Sequence, residues 1–175
     1  MSQIKNIVEA LLLSSGEPLS ADRIHKIINS KKSCTKAEVL EAIDSLKIDY
    51  DNKEIEISRV ASGFRIQAKA SINDFLNIIY AEKTPRYSRA LMETLSIIVY
   101  KQPVTRGDIE AIRGVSVSSS IMRTLTDRNW IRIVGYRDVP GKPAMFSTTN
   151  EFLDYFGLER LSELPDLPDI KEPQN

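Results

Sequence analysis

The sequence predicts an α+β, mostly helical protein made of two tandem winged-helix units, a helix-turn-helix variant. Three observations predict it. An internal repeat relates the first half to the second. Within each copy, helical apolar spacing gives way to strand alternation in the same order. A Thr-Pro break with no apolar period separates the copies.

The repeat is decisive for the fold, because stacked copies of one unit cannot be read as a single larger domain. EALLLSSGEPLSADRIHKI at 9–27 lines up with TLSIIVYKQPVTRGDIEAI at 94–112. With Pro18 against Pro103, Leu19 meets Val104, Ser20 meets Thr105, Ile24 meets Ile109 and Ile27 meets Ile112. Further on, SINDFL at 71–76 resembles TTNEFL at 148–153, which sets Asn73 with Asn150, Phe75 with Phe152 and Leu76 with Leu153. The offset shrinks between the two matches, so the copies differ in length.

In the first copy Ile4, Ile7, Val8, Leu11 and Leu12 share one helix face. Gly16-Glu17-Pro18 ends that helix, and Ser20 can cap the next, which carries Ile24, Ile27 and Ile28. Thr35-Lys36-Ala37-Glu38 is a capping box for a third helix with Val39, Ile43 and Leu46 inward. Ile55 and Ile57, then Phe64, Ile66 and Ala68 across Ser62-Gly63, alternate as a half-buried hairpin. Ser71 is expected to open a closing helix with Phe75, Leu76 and Ile79 as its apolar residues.

The second copy repeats the plan. Leu91, Leu95, Ile98 and Val99 line its first helix, and Thr105 caps a second with Ile109 and Ile112. Gly114 ends that helix in the left-handed conformation that glycine adopts cheaply. A third helix starts near Ser118 with Ile121, Met122 and Leu125, and a hairpin follows through Ile131 and Ile133, a Pro140-Gly141-Lys142-Pro143 turn, and Met145-Phe146. Thr148-Thr149-Asn150-Glu151 reads as a further capping box. The expected division is 1–80, a linker at 81–87, 88–160, and an acidic, proline-bearing tail at 161–175 that reads as disordered or ordered by a partner.

Composition excludes several function classes. The formal net charge is zero, with 24 basic and 24 acidic residues. The first 80 residues balance 11 against 11, residues 81–160 carry 12 against 9, and the tail carries 1 against 4. A protein built around the phosphate backbone would carry a larger basic excess. No apolar run approaches the ~18 residues of a membrane span, and the amino-terminal stretch reads as an amphipathic helix and not a signal peptide. The single cysteine, Cys34, suits a reducing cytoplasm and reads as a structural thiol.

Catalytic residues are not expected. His25 is the only histidine; it lies between Ile24 and Lys26 on a predicted helix, where the isoleucines hold the core spacing, so it is expected near the surface. One Cys and one His fall short of the ligand set a zinc site needs, so neither metal nor cofactor is expected. Gly114-Val115-Ser116-Val117-Ser118 lacks the second glycine and the preceding strand of a nucleophile elbow. Ser116, Ser118, Ser119 and Ser120 read as cap and first-turn residues, and Glu54 and Glu56 as a solvated strand face.

A winged helix can read DNA, and Arg123, Arg128, Arg132, Arg137 and Lys142 would then be the contacts. The third helix of the first copy argues against this for its own unit: Lys36 and Lys47 stand against Glu38, Glu41, Asp44, Asp49 and Asp51. Phosphate would repel it.

YKQPVTR, IRGVSV, WIRIVGYRDVPGKPAMF and TTNEFLDYFGL, within 93–165, closely resemble the second winged-helix domain of the segregation and condensation protein B (ScpB) family. LLLSSGEPLS and SGFRIQAK match the family more loosely in the first half. The resemblance implies a cytoplasmic, nucleoid-associated bacterial protein without enzymatic activity. It further implies a homodimer that binds the kleisin ScpA and, through it, the SMC ATPase of a condensin-like complex. That complex serves chromosome segregation and condensation during cell division. Docking is expected on the second wing at Tyr136, Arg137, Val139, Pro140 and Pro143, because aromatic and arginine anchors dominate interfaces and the Pro-Gly-Lys-Pro turn is stiff. For Pro140 and Gly141, shaping that turn is the simpler role. The resemblance places dimerisation on the first unit, where Leu13 is apolar beyond one helix face. The competing reading is a winged-helix DNA-binding transcriptional regulator. DNA contact is otherwise expected to be indirect or weak, with no membrane or small-molecule partner.

Overall fold

Side-chain caps start most of the helices, and each sits where a Ser or Thr precedes an apolar-periodic run. The computed structural model describes residues 2–80 and 87–166; most of the expected linker and the end of the tail lie outside the described residues. Helix α1 (Ser2–Ser14) turns Ile4, Val8 and Leu12 into the core. Helix α2 (Ala21–Asn29) begins at Ser20, whose hydroxyl accepts the Arg23 N–H. Helix α3 (Lys36–Asp49) begins at the Thr35–Glu38 capping box and buries Val39, Ala42, Ile43 and Leu46. Each such cap is worth about 1 kcal/mol. Strands β1 (Ile55–Val60) and β2 (Gly63–Ala68) form an antiparallel hairpin in which Ile57 faces Ile66 and Val60 faces Gly63. A short 3-10 turn, Ala70–Ile72, leads into α4 (Asn73–Tyr80).

The second half follows the same order. Helix α5 (Arg89–Lys101) buries Leu91, Thr94, Leu95, Ile98 and Val99. Strand β3 (Val104–Thr105) precedes α6 (Arg106–Arg113), capped by Thr105 and closed by Gly114 at φ 69°. Helix α7 (Ser119–Asp127), capped by Ser118, leads to β4 (Ile131–Tyr136), β5 (Ala144–Thr148) and α8 (Asn150–Tyr155). The sheet has the order β3-β5-β4, antiparallel throughout.

The repeat has a structural counterpart at the residue that follows each proline. Leu19 exchanges two backbone hydrogen bonds with Phe64, both 2.9 Å, and Val104 pairs with Phe146. Ser20 and Thr105 then cap the next helix in each copy. One tripeptide therefore ties the start of the second helix to the hairpin in both units. The close approach in the first copy depends on Gly63, at φ 145°, because a Cβ there would lie 2.3 Å from the Leu19 carbonyl carbon and oxygen.

Two separate apolar clusters form. One gathers α1, α2, α3 and the first hairpin; the other gathers α5, α6, α7, α8 and the second hairpin around Trp130. Burying a side chain such as Ile24 or Ile109 contributes about 2 kcal/mol. The halves also touch. The turn of the first hairpin sits against the end of α8, where the Ala61 N–H donates to the Leu158 carbonyl at 3.0 Å and the Ser62 N–H to the Asp154 carboxylate at 2.9 Å. Arg65 donates to the Asp154 carbonyl at 2.8 Å, and Arg59 pairs with Glu159 at 3.1 Å.

Some expectations are corrected. Helix α4 forms, two residues later than Ser71, but buries none of its side chains, and Phe75 and Ile79 face solvent. Its counterpart α8 buries Phe152 and Leu153. Ile112 and Ile133 are exposed too, while Ile109 and Ile131 on the same elements are buried. The cap of α8 is Thr149 and not Thr148: Thr148 ends β5, and its N–H and hydroxyl both reach Gln102 Oε1. Thr105 and Asp108 form a capping box that the Glu-based pattern did not single out.

Candidate functional site

The second wing, from β4 through the turn to β5, holds the residues expected to dock a partner. Its turn is closed by main-chain hydrogen bonds: the Arg137 N–H donates to the Pro143 carbonyl at 2.9 Å, the Val139 N–H to the Arg137 carbonyl at 3.0 Å and the Lys142 N–H to the Val139 carbonyl at 2.9 Å. These bonds set Arg137, Val139, Lys142 and Pro143 in one small loop. Gly141 sits there at φ 86° and Lys142 at φ 37°. Pro140 is exposed at the tip and Pro143 half-buried at the return.

Tyr136 is 64% exposed and Val139 44% exposed, beside a loop closed by its own main-chain hydrogen bonds. Ile133 and Val134 on β4 are exposed as well. Neither residue was picked out as a surface residue from the sequence. The available signal was the adjacency of two apolar residues in a strand, since both cannot face one core; the pairing register shifts between Ile133 and Gly135.

Arg137 is not a free anchor. Its two terminal nitrogens bind the two Asp108 carboxylate oxygens at 2.8 and 2.7 Å, and Asp108 also accepts the Thr105 N–H at 2.8 Å. The Arg137 guanidinium and the Thr105 amide hold the Asp108 carboxyl well below the usual carboxylate range. Asp108 in turn raises Arg137 above its ordinary value. Through this pair α6 fixes the base of the wing.

The possible DNA contacts are divided. Arg123 pairs with Asp127 at 3.5 Å, and Arg128 lies over the Tyr87 and Trp130 rings at 4.9 and 5.5 Å. Arg132 is exposed on β4 opposite Ser147, and Lys142 is in the wing turn. With Arg137 on Asp108, three of the five are thus engaged within the chain. On α3, Lys47 pairs with Asp44 at 3.1 Å, and Glu41 stays exposed. His25 Nε2 lies 3.1 Å from the Cys34 carbonyl, and Cys34 is buried. Among the described residues no group of three or more Cys, His, Asp or Glu side chains gathers to hold a metal, and no helix is long and apolar enough to cross a membrane.

Two three-helix-and-hairpin units, the second with exposed apolar residues on its wing, define an α+β, mostly helical class of protein. Residues 6–167 match the family described as "Segregation and condensation complex subunit ScpB", and the chain belongs to that family. It is 46% identical to a "Segregation and condensation protein B homolog" of Coxiella burnetii, over 97% of this chain and 82% of that protein. The crystal structure of ScpB from Mycobacterium tuberculosis is similar at 29% identity, covering 90% of this chain and 96% of that one, with a TM-score of 0.41. A dimer of an ScpB N-terminal domain complexed with ScpA peptide is similar at 23% identity, covering 48% and 91%, with a TM-score of 0.38. Membership rests on the sequence matches.

Proposed function

We propose that this chain is a non-enzymatic scaffold subunit of a bacterial condensin-like complex, which binds the kleisin ScpA as a homodimer and through it meets the SMC ATPase. The observation that carries this reading is the family match over residues 6–167, whose description is that of a complex subunit. In this reading 1–80 form the dimerising unit, 88–160 the kleisin-binding unit, and 161–175 a tail; the protein works in the cytoplasm at the nucleoid.

The wing supports the docking assignment physically. Tyr136 and Val139 offer exposed apolar contact beside a loop closed by its own main-chain hydrogen bonds, so little main-chain ordering is left for binding to supply. Arg137, Pro140 and Pro143 set the loop that carries them. The acidic α3 and the engaged Arg123 and Arg128 disfavour the DNA-regulator reading. Pull-down of ScpA by the full chain, with a salt-dependent shift assay on duplex DNA beside it, tests the proposal. Retention of ScpA with weak DNA binding is expected; tight DNA binding without ScpA would support the regulator.

A further inference from the structure

We propose that the groove between α5 and α6 takes an acidic, amphipathic helical segment of a partner protein, a docking surface apart from the wing. The site is one carboxylate short. Glu93, on α5, is shared by two arginines. Its Oε1 accepts the Arg89 Nε–H at 2.8 Å, and its Oε2 accepts a terminal N–H of Arg113, from the last turn of α6, at 3.2 Å. Arg89 first and Arg113 second hold the Glu93 carboxyl below its ordinary value. Two positive groups thus face one negative group, which leaves the groove with a positive surplus.

The two arginines differ in setting. The Arg89 side chain is 93% exposed, and that of Arg113 only 9%. The Arg113 Nε–H is buried and has no hydrogen-bond partner among the described residues. A buried donor without an acceptor keeps its full desolvation penalty. A carboxylate satisfies an arginine best by taking two parallel N–H bonds, and Glu93 cannot offer both oxygens to Arg113 while Arg89 holds one of them. A second carboxylate removes the conflict. It pairs with the exposed Arg89, and Glu93 is released to turn both oxygens onto Arg113.

The groove also specifies what carries that carboxylate. Met92, Glu93 and Ile97 follow Arg89 at helical spacing, so one stripe of α5 about 12 Å long forms a wall. Ile112, 54% exposed, joins it from α6 beside Arg113. With Met92 and Ile97 it gives an apolar lining to a groove of about 540 Å³. Two turns of a partner helix match that length, and helices dock in such grooves through apolar residues at i, i+3 and i+4. The positive surplus selects an acidic helix and repels a basic one, since like charges brought together across an interface are costly.

Panning a phage-displayed library of short amphipathic helices against the full chain tests this. Enriched peptides should carry Asp or Glu beside Leu, Ile or Phe, and should bind Arg89→Gln with Ile112→Ser at least tenfold more weakly. Both side chains are exposed, so the melting transition of that variant should stay that of the parent. Tyr136→Ala, on the wing, should leave peptide binding unchanged. In a second arm, the Arg113 Nε–H resonance of the isotope-labelled chain should shift as the strongest peptide is added. The same peptide with Asn and Gln in place of Asp and Glu should not shift it. Peptides that ignore the groove variant, or that are lost with Tyr136→Ala, overturn the groove as the site. Equal binding of the amide peptide overturns the carboxylate requirement, and a library with no enriched helix overturns the proposal whole. ScpA is absent from both arms, so each of these results leaves the ScpA reading standing.

Discussion

Arg137 grips Asp108 with both ends of its guanidinium, at 2.8 and 2.7 Å, and so ties the second wing to the first turn of α6. The same carboxylate caps α6 by accepting the Thr105 N–H. One residue thus serves helix start and wing together. Partial exposure of both side chains screens the pair, so Arg137→Ala should cost only about 0.5–1 kcal/mol.

Acid should reveal the pair. The folded chain holds the Asp108 carboxyl below its unfolded value of about 4, so folding disfavours its protonation. The stabilisation is complete above pH ~4 and is lost as pH falls toward the folded value. Urea midpoints between pH 7 and pH 3 should fall less steeply for Asp108→Asn than for the parent. Parallel slopes would contradict the assignment.

Gly63 should tolerate no side chain. A Cβ would meet the Leu19 carbonyl at 2.3 Å, and main chain cannot swing aside as a flexible side chain can. Gly63→Ala should cost about 3 kcal/mol or more, at the upper end for single substitutions. Gly16→Ala, with open space around the Cβ and φ 64°, should cost about 1 kcal/mol. Equal melting temperatures for the two variants would refute the close approach.

Trp130→Ala removes the wall behind α8, where Tyr87, Tyr155 and Phe156 all pack. A loss of about 3–5 kcal/mol is expected. Because the clusters are separate, hydrogen exchange should rise across α5–α8 before it rises across α1–α3.

The contact between the halves should loosen in Asp154→Ala with Arg65→Ala. The pair removes the acceptor of the Ser62 N–H and the donor to the Asp154 carbonyl. A cost of about 1–2 kcal/mol is expected. Faster amide exchange at Ser62 is the readout; unchanged protection there would show that the apolar contact of Ala61 suffices.

The sequence made the elements legible because caps and periodicity are local. Ser20, Thr35, Thr105 and Ser118 each start a helix where expected, and Gly114 ends one. Exposure was less legible, because it depends on what arrives from elsewhere in the chain. Phe75 and Phe152 sit in matching motifs, yet only the second is buried in a core cluster, the one that also holds Trp130. On the wing, the exposure of Tyr136 and Val139 and the hold on Arg137 depend on the rest of the chain: its Asp108 partner lies 29 residues away and leaves no local trace.

Calorimetric titration of ScpA into the full chain, beside Tyr136→Ala with Val139→Ala, tests the central claim most directly. Both side chains are exposed, so the variant should fold as the parent does. The parent should form a saturable complex and the variant bind at least tenfold more weakly, about 1.4 kcal/mol. No heat with ScpA, together with DNA binding that falls steeply with salt, would contradict the account.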